Sequence, residues 1–391
     1  MSSDSNHASD APEPPVDSQE PAKKPISRKR IFTLGVICVT VAVVAVSLIE
    51  NPHYVPEAIS QRTFFPIHNL EMKLENAKRL KNFPLFAFDL RRLSVPRQLL
   101  QYGGVQKDGI PALVNSDTVS AAEGNHLAAE DRVIGVNIDG TTRAYPIKIL
   151  RHHEISNDKI GDVDFAVTYC PLCDSAAAFN RNTGTETLEL RVSGLLYKNN
   201  VVMFNDHDDP EINDTLWLQL LSQGISGDFK GIGLESVPIE LTTWKEWKER
   251  NPETTVLTTT QGFEKDYNVN HYARYEKSPE PMFELPSPDM RLPHKEKILG
   301  VWSESTNRAY PVSLFSAEVT QIEDEIDGLK LTIEYNPETE SLRVAEADEG
   351  LSWMYSYWFA WAGIREETEI YKEAELLETP SEAQVTTETA L

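Results

Sequence analysis

Sulfur is scarce in this chain, which has three cysteines and six methionines among 391 residues. Three cysteines cannot build a network of long-range disulfides, and Cys38 lies inside an apolar run that keeps it away from Cys170 and Cys173. Positive charge is also short, with 37 Lys and Arg against 61 Asp and Glu and a formal net charge of −24. A surface of that sign repels phosphate backbones and anionic headgroups, so nucleic acid is not an expected partner. There is no glycine-rich nucleotide loop and no serine-hydrolase elbow. The adjacent His152 and His153 followed by Glu154 lack the i, i+4 histidine spacing of a helical zinc protease.

Only one stretch suits a bilayer. Ile31 to Ile49 is uncharged and apolar, and as a helix it would span roughly 28 Å, close to the hydrocarbon thickness. Lys23, Lys24, Arg28, Lys29 and Arg30 precede it while Glu50 and Asn51 follow. The positive-inside rule then keeps the N-terminus cytoplasmic and exports the remainder to the periplasmic or extracytoplasmic side. No small-residue cleavage pattern follows, so the run is expected to persist as a signal anchor. Residues 1–30, rich in Ser, Pro, Asp and Glu, are expected to be a disordered cytoplasmic tail, and residues 372–391 a disordered acidic one. Between them, 50–101 reads as a juxtamembrane neck with a helix near 69–81 and a helical turn near 97–101, and 102–371 as one exported domain.

That domain contains an internal repeat. Val133 to Leu150 and Ile298 to Phe315 share the runs Arg143-Ala144-Tyr145-Pro146 and Arg308-Ala309-Tyr310-Pro311, together with Gly135/Gly300 and Val136/Val301. Each copy reads as strand, polar turn and a second strand closed by proline, which is a β-hairpin. The likeness continues from Ile160 to Pro171 against Ile326 to Pro337. The expected fold is therefore mainly β (α+β), with two related hairpin-containing halves at about 125–260 and 290–365, preceded by a single transmembrane helix. Arg143 and Arg308, present in both halves, are expected to anchor carboxylates. Tyr145, Tyr310, Trp217, Trp244 and Trp247 are expected in the core. Thr242 or Thr243 should cap a helix that Pro252 stops.

The chemistry concentrates between His152 and Arg181. Tyr169-Cys170-Pro171-Leu172-Cys173 follows a β-branched, apolar run, and the second copy has Tyr335-Asn336-Pro337 at the same point, on what reads as a hairpin turn. By analogy the cysteines occupy a strand-to-strand turn and not a helix N-terminus, where the dipole would favour disulfide exchange. Two thiolates on such a knuckle suit zinc, copper or iron, so the leading expectation is a transition-metal site of Cys170, Cys173 and His153. His152, Asp174, Met203, Asp206 and His207 are reserve ligands. Thiol-disulfide exchange is the second reading, and an architectural module whose disulfide staples the turn is the third. Glu154 is a catalytic candidate as a general base, against a simpler reading in which it caps a turn or pairs with Arg181 or Arg191.

The motifs His153-Glu154-Ile155-Ser156-Asn157-Asp158, Val167 to Cys173, Ser193-Gly194-Leu195-Leu196-Tyr197 and Thr243-Trp244-x-x-Trp247 resemble the bacterial and archaeal family catalogued as domain of unknown function 3179, over about Gly103 to Tyr371. The resemblance implies an exported domain marked by the cysteine turn and supplies no activity. The chain departs from it at Asp174, where a knuckle favours glycine, and at Ile364-Arg365-Glu366, where an aromatic, a histidine and a proline are usual.

Overall fold

The computed structural model describes residues 87–206 and 214–371. The cytoplasmic tail, the apolar run 31–49, the neck helix at 69–81, His207 and the acidic tail from 372 lie outside the described residues. Among the described residues no helix is long and apolar enough to cross a membrane.

The first half opens with the hairpin β1 (Arg132–Ile138) and β2 (Thr141–Pro146). Its turn, Asp139-Gly140, has φ of 50° and 83°, the left-handed pair that matches the twist of two antiparallel strands. Pro146 closes β2 and starts the single turn α1 (Ile147–Leu150). A meander follows: β3 (Ile155–Ile160), β4 (Val163–Cys170) and β5 (Ser175–Asn180), each antiparallel to the next. The hairpin β6 (Leu190–Tyr197) and β7 (Asn200–Asn205) belongs to a separate five-stranded sheet. The half ends with β8 (Ile239–Thr243), α2 (Trp244–Arg250) and β9 (Thr255–Leu257). Strand β8 lies antiparallel beside β1, and β9 parallel beside β2. Thr243 caps α2 by accepting from the Glu246 N–H, and the helix ends at Arg250, two residues before Pro252.

After a long segment with one helical turn, α3 (Ala273–Glu276), the pattern returns. The hairpin β10 (Lys297–Trp302) and β11 (Asn307–Pro311) precedes the meander β12 (Gln321–Ile326), β13 (Leu329–Asn336) and β14 (Ser341–Ala347). Then come β15 (Ser352–Tyr357), α4 (Trp358–Ile364) and β16 (Glu369–Ile370). Strand β15 is antiparallel to β10 and β16 parallel to β11, as β8 and β9 are to β1 and β2. The repeat thus extends to a closing strand–helix–strand that the sequence comparison did not reach.

The shared residues hold equivalent positions. Arg143 and the Tyr145 hydroxyl both donate to Oδ2 of Asp158 at 2.7 Å, and Arg308 and Tyr310 donate to Oδ2 of Asp324 at 2.7 and 2.5 Å. Each motif ties its hairpin to the first strand of its meander, so both arginines do anchor carboxylates. Gly135 and Gly300 let an indole lie flat on the hairpin: a Cβ at either would come closer than 3.0 Å to the ring of Trp247 or Trp361. Tyr145, Tyr310, Trp217, Trp244 and Trp247 are all buried.

The halves interlock. Strand β5 of the first half pairs with β15 of the second at Ala176 and Tyr355, while β14 packs against β8. One apolar cluster draws Tyr145, Phe165 and Val167 together with Leu299, Tyr310 and Ile333. At the N-terminal side, Phe88, Leu90 and Leu100 bury against Leu195, Tyr197, Val202 and Phe204, and Leu100–Tyr102 pairs with β6. The last residues assigned to the neck are therefore part of the domain, and the helical turn there is Arg97–Leu99.

Candidate functional site

Cys170 is the last residue of β4, and Cys173 closes the turn that leads to β5 by donating its N–H to the Cys170 carbonyl at 3.2 Å. Cys170 and Ser175 are partners in the β4–β5 ladder. The cysteines therefore do sit on a strand-to-strand turn. The Cys173 carbonyl accepts from the Tyr357 N–H at 2.7 Å, which ties the turn to the second half. Both cysteines are free and buried, with 1% and 0% of their surface exposed.

The two sulfurs face one atom. The Cys170 and Cys173 thiols both point at the Asn199 carbonyl, at 3.7 and 3.2 Å. Asn199 sits in the two-residue β6–β7 turn, where Lys198 and Asn199 have φ of 48° and 70°. Such a turn directs its carbonyl sideways, and here that is into the cysteine turn. The Asn199 side chain is held by Phe283, whose N–H donates to Oδ1 at 2.8 Å and whose carbonyl accepts from Nδ2 at 3.0 Å.

The two thiols are unequal. Burial pushes the Cys170 thiol up, but the Cys173 thiol and the N–H groups of Cys173, Val201 and Leu172 outweigh that and leave it below its ordinary value. Cys173 is driven well above its ordinary value by burial and by the neighbouring Cys170. Cys170 is thus the more acidic of the two thiols.

Glu154 is the neighbour that the sequence reading undervalued. It pairs with neither expected arginine: Arg181 donates to the carbonyls of Phe165 and Leu188, and Arg191 engages Glu189 and Asp108. Glu154 is 8% exposed, and its carboxyl has no hydrogen bond or ion pair among the described residues. Burial, then the charge of Cys170, raise its pKa well above the ordinary carboxylate range. Its backbone holds φ of 58°, and its carbonyl accepts from the Tyr169 N–H at 2.7 Å, one residue before Cys170. Glu154, Asp174, Lys198 and Asn199 are four non-glycine residues in left-handed conformation gathered around one pair of thiols. Strain of that kind concentrates where a structure fixes functional groups.

His153 is fully buried but turns elsewhere. Its Nδ1 lies 2.8 Å from the Pro111 carbonyl and its Nε2 2.8 Å from the Tyr267 hydroxyl. A carbonyl only accepts, so Nδ1 carries the proton and Nε2 accepts from Tyr267. Burial lowers its pKa to about 4, which keeps the ring neutral at pH 7. His152 lies against Tyr267 and His271, with Nε2 3.1 Å from the Val269 carbonyl. Asp174, with φ of 46°, is gripped by Arg132 at 2.9 and 3.0 Å and by the Tyr169 hydroxyl at 2.8 Å. Asp206 faces Lys107 and Arg191. Met203 packs in the apolar cluster that contains both cysteines and Trp217. Among the described residues no three His, Cys, Asp or Glu side chains gather in a way that could hold a metal ion.

The sequence reading missed Asn199, Tyr272 and Tyr275. Lys198-Asn199-Asn200 between two apolar runs carried a hairpin-turn signal for the first. Tyr275 donates to the Leu172 carbonyl, inside the cysteine turn, at 2.6 Å. Tyr272 is raised by burial, then by Glu154 and Cys170, which makes it a neighbour of both. Neither tyrosine stands in a periodic segment that would have marked it. At the unusual C-terminal corner, Arg365 is buried over the rings of Trp302 and Trp361, at 3.9 and 5.1 Å, and donates to the Leu220 carbonyl at 2.8 Å.

No curated protein and no solved structure matches the chain. A family model described as a protein of unknown function, DUF3179, matches residues 107–353, a stretch that holds the cysteine turn, Glu154, Asn199 and both tyrosines. The chain belongs to the DUF3179 family.

Proposed function

We propose that Cys170 and Cys173 form a dithiol that exchanges with disulfides, in a domain anchored through residues 31–49 and facing the extracytoplasmic side. The observation that carries this reading is the pair of free, buried thiols on one turn, facing the same carbonyl, with Cys170 the more acidic of the two. In exchange, the Cys170 thiolate attacks one sulfur of a disulfide and expels a thiolate. Cys173 then attacks the Cys170 sulfur, expels the second thiolate and closes the internal disulfide. Two electrons pass from the pair to the incoming disulfide. The proton that Cys173 releases ends on a departing thiolate, and Glu154, whose charge acts on the cysteine pair, is the group proposed to carry it.

A metal site is the second reading. Its support is the convergence of both sulfurs on one point, the Asn199 carbonyl. Zinc, copper or iron would need further donors there, and His153 would have to release Pro111 or Tyr267 to become one.

The test uses the full chain purified in detergent without chelator, with Cys170→Ser and Cys173→Ser as controls. Equilibration in glutathione buffers, followed by alkylation and mass spectrometry, should give one two-electron transition in the range of about −120 to −270 mV found for exchange proteins. Both single variants should abolish it. A pair that stays reduced throughout and retains stoichiometric metal, lost in the double variant, would replace exchange with the second reading. A pair locked as a disulfide below about −300 mV would leave only a staple.

A further inference from the structure

We infer that residues 258–296 form a lid over the dithiol, closed by side-chain latches and opened locally before either sulfur can react. The inference rests on the exchange reading for its purpose, but its geometry is independent of it.

This segment runs between β9 and β10 with a single helical turn, α3, and contributes no strand to any sheet. Loops of that length in a compact domain are functional more often than not. Its ends are fixed by backbone bonds: the Thr258 N–H donates to Asp117, and the carbonyls of His294 and Glu296 accept from Phe359 and Trp358. Between those anchors no backbone-to-backbone hydrogen bond joins it to the rest of the described residues.

Side-chain bonds hold the middle: His152 at the Val269 carbonyl, Trp358 at the Asp289 carbonyl and Arg291 at the Thr368 carbonyl, and a further group around the cysteine turn. Tyr275 donates to the Leu172 carbonyl, Asn199 clasps the Phe283 backbone through two bonds, and Tyr267 donates to His153. Asn199 is the residue whose own carbonyl receives both thiols. The group that positions the sulfurs is therefore also the group that fastens their cover. Tyr272 and Tyr275 are electrostatic neighbours of Cys170, which brings the cover directly onto the site.

The outer side of the segment is unusual too. Of seven large apolar side chains exposed among the described residues, Val269, Met282 and Met290 lie on it, and a fourth, Phe263, is part-exposed with its ring against His153. A segment with fixed ends and an unladdered middle can lift by exposing the side chains it buries, Tyr267 and Tyr275 among them, while the ladders beneath stay paired.

The test is the rate at which iodoacetamide labels the reduced Cys170–Cys173 peptide of the full chain in detergent, resolved by mass spectrometry so that Cys38 does not contribute. Asn199→Gly keeps the left-handed backbone and the carbonyl but removes two latch bonds, and should speed labelling by about 10-fold or more. Tyr275→Phe removes one bond and should speed it by roughly 3-fold to 10-fold. Tyr355→Phe is the control: it deletes a more deeply buried bond, to the Leu342 carbonyl at 2.8 Å, in the second half. Local opening predicts no acceleration there. If Tyr355→Phe accelerates labelling as much as the latch variants, access requires global unfolding and the lid is refuted. Unchanged rates in both latch variants would refute it as well. Should Asn199→Gly fail to fold, Tyr267→Phe with Tyr275→Phe carries the same expectation. Faster labelling in a protein whose cysteines never form a disulfide would leave the lid standing and overturn the exchange reading instead.

Discussion

Replacing Gly135 by alanine tests the doubled architecture at one atom. The added Cβ would come closer than 3.0 Å to three carbons of the Trp247 ring, whereas carbon atoms in contact sit at about 3.5–4.0 Å. Either β1 bends or the indole slides by about an ångström. Trp247 is 4% exposed and packs with Val133, Ala144 and Val256, so little room is available. Overpacking of this kind costs roughly 1–3 kcal/mol. Sliding the ring also breaks the bond from Nε1 to Thr254 Oγ1, 3.0 Å long, and adds about 1 kcal/mol. Gly135→Ala is therefore expected to lose about 2–4 kcal/mol. The equivalent Gly300→Ala meets Trp361, whose Nε1 has no partner among the described residues, so only the overpacking of roughly 1–3 kcal/mol applies. Gly140→Ala is the reference: nothing lies within 4 Å, but φ of 83° strains any side chain, at about 1 kcal/mol. Urea unfolding of the three variants, followed by far-ultraviolet circular dichroism, measures the differences. If both hairpin glycines cost no more than Gly140, the indoles do not lie on the hairpins and the account of the repeat fails.

Two further predictions concern the site. Asp174→Ala leaves Arg132 and the Tyr169 hydroxyl without their carboxylate and keeps the left-handed backbone. Asp174→Gly loses the same bonds but relieves the backbone, so denaturant titration should find it about 1 kcal/mol more stable than Asp174→Ala; equal stabilities would show that the turn is unstrained. For Glu154 the folded pKa is raised above the unfolded one, so its proton stabilises the fold fully below about pH 4.5 and that contribution is lost as pH rises towards the folded value. The slope is at most about 1.4 kcal/mol per pH unit. Glu154→Gln cannot titrate, and its stability relative to the parent should climb from pH 5 to pH 8. A flat difference across that range would mean the carboxyl is solvated.

Much of the fold was legible because a duplicated sequence exposes its own constraints. Arg143-Ala144-Tyr145-Pro146 and its copy retain residues that make the same contacts, with Asp158 and with Asp324. The hairpins followed from alternation, polar turns and closing prolines. The cysteine turn was placed on a hairpin by its alignment with Asn336-Pro337, and β4–β5 has that geometry. The closing units β8–α2–β9 and β15–α4–β16 were not matched, because their identity is confined to two tryptophans and the pair Glu253-Thr254 against Glu367-Thr368.

The amino-acid order on its own determined which residues carry reactive chemistry and that the second half lacks them, since Asn336 and Thr339 stand where the cysteines do. Only the tertiary structure decided what surrounds the thiols. Asn199, Tyr275 and Phe283 come from segments far apart in the chain, and their convergence depends on how a turn and an unladdered segment meet the knuckle. Glu154 shows the physical reason: whether a carboxylate finds an arginine or remains alone beside a sulfur is fixed by three-dimensional neighbours, which local spacing does not encode.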